Sequence, residues 1–195
     1  MSHYFIDDKT LADDFRTISY SFGGKRLNFV TNAGLFSHGE IDSVSDTLLR
    51  SLPELNGSLL DLGCGWGLFG VALGAAFGVD VTMSDVNPRA LECAKRNADN
   101  NNISANIILS DCFDNINNTF DTITLNPPVH AGKKVMYKMY EEAALHLNPG
   151  GRFYVVIQKK HGAESTIKKL SEIFTEANTR IIYHKKGVFV VESTR

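Results

Sequence analysis

Between residues 58 and 177 the chain alternates between two textures, and that alternation constrains its fold more than any other feature. Short β-rich runs at 58–63, 79–85, 105–111, 120–126 and 151–158 are separated by helical patterns at 68–77, 88–101, 135–147 and 163–177. A helix between two strands returns the chain so that the next strand runs in the same direction. The repetition therefore predicts an α/β, doubly wound, mostly parallel sheet with helices on both faces. Residues 180–194 read as two strands around a turn at Lys186-Gly187. That C-terminal antiparallel hairpin brings the expected sheet to seven strands.

The segment before this alternation reads as a lead-in over residues 1–52. It holds strand-like alternation in 26–42, ending in a glycine-bearing loop, and a helical pattern at 43–52 that Pro53 closes. With residues 53–195 as the core, the 195 residues are expected to form one domain. The start, MSHYFIDDKTLADDF, is polar and acidic, and the longest low-polarity run, 68–79, is glycine-broken and too short to span a bilayer. Both point to a cytoplasmic protein without membrane association. Cys64, Cys93 and Cys112 form no C-x-x-C pair, so buried thiols are expected rather than a disulfide framework or a metal site. Nothing in the sequence speaks to oligomeric state.

The formal charge of −2 conceals an imbalance. Residues 1–129 carry 8 basic against 16 acidic side chains, and residues 130–195 carry 12 against 6. A basic surface confined to one part of a molecule suits an anionic partner such as RNA, although a solvated face accounts for the same count.

In doubly wound sheets ligands bind beyond the carboxyl ends of the strands, so the residues after each β run are the candidates. The first run leads into LLDLGCGWGLFG, where Gly63, Gly65 and Gly67 alternate in a strand-to-helix turn and let a ligand approach the backbone. Gly65, Gly67 and Gly70 also match the dinucleotide pattern, a weak signal by itself. Asp61, inside the preceding strand, would repel a pyrophosphate and suits a ligand with an ammonium and a sulfonium. The second run ends at Asp85, positioned to accept from two ribose hydroxyls, while Asn87 and Pro88 supply the cap and first residue of the following helix. The third ends at Asp111, which can accept from an exocyclic amine such as adenine N6, with Cys112 and Phe113 beside the base. The fourth ends in Asn126-Pro127-Pro128. Proline donates no backbone hydrogen bond, so the pair stops a strand and stiffens the chain at its exit.

Taken in order, these strand ends resemble the class I S-adenosylmethionine-dependent methyltransferases. LDLGCGWG is similar to their glycine-rich motif, Asp85 to the ribose acid and Asp111 to the adenine-side acid. LNPPVHAGKK resembles the N/D-P-P motif of enzymes that methylate planar, conjugated nitrogens. NAGLFSHGEID, followed by N-P-P-x-H-x-G-K, narrows the resemblance to the small-domain methyltransferases related to ribosomal RNA small-subunit methyltransferase C. It covers residues 26 to the end and implies a Rossmann-like fold, S-adenosylmethionine as cofactor and guanine N2 in ribosomal RNA as acceptor. Two departures stand out. Some relatives carry a further N-terminal domain that helps select the RNA, for which 195 residues are expected to leave no room. The position after the prolines, aromatic in much of the wider group, is Val129.

The chemistry at the fourth strand end comes from the residue types. An exocyclic amine is a poor nucleophile because its lone pair is delocalised into the ring. Asn126, through its side-chain oxygen, and Pro127, through its carbonyl, can bind the amine hydrogens and stabilise the positive charge that develops. The prolines lock both acceptors in place. Pro128 and Val129 would border the base, and His130 is the candidate for stacking or a phosphate contact. Lys133 and Lys134 open a helix, where lysines are mildly unfavourable, and so suggest an anionic ligand. Phe36 and Ser37 would close over the cofactor. A base stacked in RNA would have to be flipped out to reach such a pocket. Adenine N6 and a protein glutamine amide offer comparable acceptor nitrogens, and an NAD-dependent oxidoreductase or a non-catalytic RNA-binding module are the remaining readings.

Overall fold

A computed structural model describes residues 11–195. The chain begins with an antiparallel ribbon, β1 (Arg16–Phe22) and β2 (Lys25–Thr31), followed by helix α1 (Ser43–Ser51). It continues through β3 (Ser58–Leu62), α2 (Leu68–Phe77), β4 (Asp80–Asp85), α3 (Pro88–Asn100), β5 (Ala105–Leu109) and β6 (Phe120–Leu125). The last elements are α4 (Lys133–Leu145), β7 (Leu147–Gln158), α5 (Ala163–Phe174), β8 (Thr179–Lys185) and β9 (Val188–Thr194).

Strands β3 to β9 form one seven-stranded sheet in the order β5-β4-β3-β6-β7-β9-β8. Only β9 runs against the others, pairing antiparallel with both β7 and β8. The expected fold is thus present, with one refinement: the last strand inserts beside β7 and leaves β8 at the edge. Lys186 and Gly187 both take left-handed backbone angles, at φ 50° and 75°, as a two-residue hairpin turn of this hand requires.

Period-two patterning sorts the strands between two apolar layers. On β3, Leu59 joins the layer formed with α1, α2 and α3, while Leu60 and Leu62 join the layer formed with α4 and α5. On β7, Tyr154 and Val156 face the first layer, and Phe153, Val155 and Ile157 the second. Cys64, Cys93 and Cys112 are all buried thiols. Among the described residues no helix is long and apolar enough to cross a membrane.

The ribbon is where the sequence reading falls short. It caught the alternation in β2 but read β1 as a polar start. Besides its buried apolar side chains, the ribbon is held by two asparagines, Asn97 on α3 and Asn101 at its C-cap. The Asn97 side chain accepts from Val30 N–H at 2.6 Å and donates to Val30 O at 2.9 Å. One helical turn later, Asn101 accepts from Asn28 N–H at 3.0 Å and donates to Asn28 O at 2.9 Å. Two amides spaced i, i+4 thus substitute for a neighbouring strand, and at Val30 Asn97 satisfies backbone groups that burial would otherwise penalise.

Candidate active site

The strand order reverses between β3 and β6, since β4 and β5 lie to one side of β3 and β6 to the other. A crevice opens at such a switch point. β3 and β6 pair in register as far as Leu62 and Leu125, so Gly63 and Asn126 leave the sheet side by side. A cleft of about 620 Å³ lies beyond them. It brings together Phe36, Gly63, Gly65, Asp85, Asp111, Cys112, Asn126, Pro127, Pro128, Val129 and His130, which the sequence reading had drawn from five separate segments. Asp61, Gly67, Lys133 and Lys134 do not line it.

The glycine turn takes its shape from the backbone. Gly63, Gly65 and Gly67 have φ of +64°, +54° and +85°, a region that side chains disfavour. A Cβ at Gly65 would meet no protein atom within 4 Å, so it would take up cleft space; one at Gly67 would press on Met83 and Ala94 at 3.0–3.2 Å. Gly65 therefore serves the cleft and Gly67 the packing of α2 against β4 and α3.

Three acids behave differently. Asp61 is 1% exposed, and its Oδ2 accepts from Gly70 N–H at 2.9 Å. Gly67, the N-cap of α2, has no side chain to offer, so Asp61 caps the helix from the neighbouring strand. Its Oδ1 has no hydrogen-bond partner among the described residues, and burial pushes the carboxyl up to about 7 despite the Gly70 bond. Asp85 accepts from Gly65 N–H at 2.8 Å and from Asn87 N–H at 2.9 Å. It therefore pins both the glycine turn and the start of α3, although Asn87 caps that helix through Arg89 N–H as expected. Burial still raises the Asp85 pKa. Asp111 sits two residues past the end of β5, on the turn rather than at the strand tip. Beside it, burial and the Asp111 carboxylate push the Cys112 thiol up to about 12, which keeps it a neutral packing group.

At the other wall, Pro128 has φ −74° and ψ 77°, an inverse γ-turn that bonds Val129 N–H to Pro127 O at 2.8 Å. The turn fixes the Pro127 carbonyl and leaves it a second lone pair. Asn126 Nδ2 donates to Ser45 Oγ at 3.0 Å. Ser45 Oγ in turn donates to Asp42 Oδ2 at 3.1 Å, and the same oxygen accepts from Ser45 N–H at 2.8 Å as the N-cap of α1. This relay engages the amide nitrogen and leaves Asn126 Oδ1 as the acceptor of the group at the cleft. Ser45 and Asp42 escaped the sequence reading because they look like an ordinary helix start, with Asn126 81 residues away.

Trp66, His161 and Gln158 were missed as well. Trp66 Nε1 donates to Phe36 O at 2.9 Å, tying the loop before α1 to the glycine turn, while Phe36 itself stays 41% exposed at the cleft. His161 and Gln158 line the cleft from the end of β7, with the His161 ring 6.3 Å from that of His130. Burial, then the charges of Lys160 and His130, lower the His161 pKa.

Fold, switch-point cleft and glycine turn together define an S-adenosylmethionine-dependent methyltransferase of class I. Residues 26–191 match the family described as Methyltransferase small domain, and the chain belongs to that family. Protein YbxB of Bacillus subtilis (strain 168) is 38% identical over 199 aligned positions, covering 99% of this chain and 98% of its own length. Ribosomal RNA small subunit methyltransferase C of Aeromonas hydrophila is 34% identical over 84% of this chain. The 16S rRNA N2 G1207 methyltransferase (RsmC) of T. thermophilus, solved with AdoMet and guanosine, superposes with a TM-score of 0.82 at 25% identity over 93% of this chain. The chain spans 50% of the length of each of those two rRNA methyltransferases.

The cleft suits S-adenosylmethionine. Its glycine turn offers backbone and open space at Gly65, Asp85 supplies a carboxylate at the second strand tip, and among the described residues no lysine or arginine lines it.

Proposed function

We propose that this methyltransferase modifies an exocyclic amine of a base in ribosomal RNA, with guanine N2 as the acceptor. The observation that carries the reading is the pair of fixed acceptors at the end of β6: Asn126 Oδ1, oriented through Ser45, and the Pro127 carbonyl, oriented by the γ-turn. Two acceptors held side by side suit an NH₂ group, which has two hydrogens to donate. Binding both turns the nitrogen lone pair out of conjugation and toward the cofactor.

When bound, S-adenosylmethionine supplies a methyl group made electrophilic by its sulfonium. The chain's own residues do the rest. Asp85 and Asp111 hold the ribose and adenine ends, and Gly65 lets the cofactor approach the backbone. Asn126 and Pro127 stabilise the charge that grows on the amine, a preorganised electrostatic effect. Holding nitrogen, carbon and sulfur in line supplies much of the remaining acceleration. No strong base is needed, because the N–H becomes acidic only once the methyl has moved. Val129 and His130 border the base, which has to leave its stack to enter. A cytoplasmic enzyme acting on ribosomal RNA or an assembly intermediate follows from this reading. The rRNA methyltransferases among the relatives support it, the T. thermophilus protein most directly.

Incubation of the purified protein with labelled S-adenosylmethionine and ribosomal RNA or subunits, followed by nucleoside mass spectrometry, tests the acceptor. N2-methylguanosine is the expected product. N6-methyladenosine, or label in protein glutamine, would move the acceptor while keeping the clamp.

A further inference from the structure

The acceptor half of the rim carries a second feature that the methyl-transfer chemistry does not use. Three segments rise to it: 127–136 after β6, 157–162 after β7, and 183–189 around the β8–β9 turn. They contain six lysines (Lys133, Lys134, Lys159, Lys160, Lys185 and Lys186) and not one aspartate or glutamate. All six lysines are exposed. They are neighbours in space because β8 runs parallel to β7, so the β8–β9 turn returns to the same rim. Lys159 N–H donates to Gly187 O at 2.7 Å, which fixes the second segment against the third. The ring contact between His130 and His161 joins the first segment to the second at the cleft.

Of the five described lysines elsewhere, Lys25 and Lys168 have no carboxylate partner among the described residues and three are neutralised. Lys95 pairs with Asp99, Lys138 with Asp114 and Glu142, and Lys169 with Glu141. Among the described residues none of the six rim lysines has a carboxylate partner. Like charges gathered without counter-charges repel one another, and the charge of Lys160 reaches the cleft, where after burial it lowers the His161 pKa.

We propose that the rim over β6, β7, β9 and β8 is a docking track for the phosphate backbone of the single strand that flanks the flipped base. Lys159, Lys160, Lys185 and Lys186 are its main contacts. Adjacent strands are about 4.8 Å apart, so the track runs about 14 Å from the clamp, enough to hold several nucleotides. It reads charge and not sequence, because lysines on phosphates fix register while base contacts specify. It lies on the far side of the clamp from the glycine turn, so RNA and cofactor approach from opposite directions. The inference rests on RNA being the substrate.

The test is the salt dependence of binding to a short, fluorescently labelled single-stranded RNA, with S-adenosylhomocysteine present. Each phosphate contact contributes about 0.7 to the slope of log affinity against log salt. K159Q/K160Q and K185Q/K186Q are each expected to lower the slope by about 1.4, two contacts' worth, and to weaken binding at low salt at least about tenfold. Affinity for S-adenosylhomocysteine should stay unchanged in both. K25Q/R26Q makes the same change of charge at the opposite end of the molecule, on the ribbon turn whose Gly23 abuts Ala76 at the end of α2, and should leave the slope alone. If wild type binds RNA and the rim variants keep its slope, the track is wrong while the RNA reading survives. If wild type binds no RNA, both are wrong.

Discussion

The two halves of the sheet's rim are built on opposite plans. On the side of β3, β4 and β5 two acids are built into the chain itself, Asp61 holding α2 and Asp85 holding both the glycine turn and α3, while Asp111 stands exposed at the cleft. On the side of β6, β7, β9 and β8 the fixed element is small, the γ-turn and the Asn126 relay, and around it stand exposed lysines with no carboxylate partner among the described residues. The first half is preformed for one small, cationic ligand of constant shape. The second fixes two acceptor atoms and leaves the rest of the surface adaptable, as a long polyanion requires. Binding the cofactor and positioning the acceptor should therefore fail separately.

The largest effect is expected at the clamp. Asn126→Ala removes one of two acceptors for the developing charge, and the rate of methyl transfer in single-turnover assays should fall by about 100-fold or more. A rate within a few-fold of wild type would break the clamp. Next comes the opposite half. Asp85→Ala deletes a carboxylate expected to accept from the ribose, and loses its hold on Gly65 N–H. Affinity for S-adenosylhomocysteine by calorimetry should drop by at least about tenfold, since hydrogen bonds to a charged group contribute about 1.5–3 kcal/mol. Unchanged affinity would show that the acid serves only the loop.

Ser45→Ala sharpens the comparison because it loosens the hold on Asn126 without removing either acceptor of the clamp. It frees Asn126 Nδ2 to turn, so kcat should fall by about tenfold or less with KM nearly unchanged, and Ser45→Thr should restore part of the loss. If Ser45→Ala moves KM instead, the relay does not orient the amide.

The smallest effect concerns Asp61 and stability. Its folded pKa of about 7 lies above its ordinary value of 3.8, so between these pH values the unfolded chain is ionised while the folded chain keeps its proton. Stability from this group is fully present below about pH 4, falls as pH rises toward 7, and is absent above. Asp61→Asn removes that dependence. Its Tm relative to wild type should therefore be higher at pH 8 than at pH 5, by a few degrees at about 2–4 °C per kcal/mol. Equal differences at the two pH values would contradict the buried, partly unpaired carboxylate.

How much of the molecule was legible in the sequence depends on which interactions are local. The alternation from 58 onward carries the sheet, because each strand and helix announces itself by its own periodicity. Asp85, Asp111 and Asn126 could be found because a doubly wound fold gathers strand ends, so position along the chain already implies position in space. Ser45 and Trp66 could not, since each acts through one hydrogen bond to a residue 81 or 30 positions away. Asp61 was seen as a charge for the ligand, and its part as the cap of α2 was not, because a cap supplied by another strand leaves no local pattern. Nor did the lysine pairs at 159–160 and 185–186 stand out, because only the return of β8 alongside β7 brings them together.

The most direct test of the division between the two halves is the affinity of Asn126→Ala for S-adenosylhomocysteine, measured by calorimetry beside its methyl-transfer rate. Binding within about threefold of wild type, a difference of less than about 1 kcal/mol, is expected in a protein that scarcely transfers. A loss of cofactor affinity that matched the loss of rate would mean that Asn126 belongs to the cofactor's half of the rim, and the separation of the two would not hold.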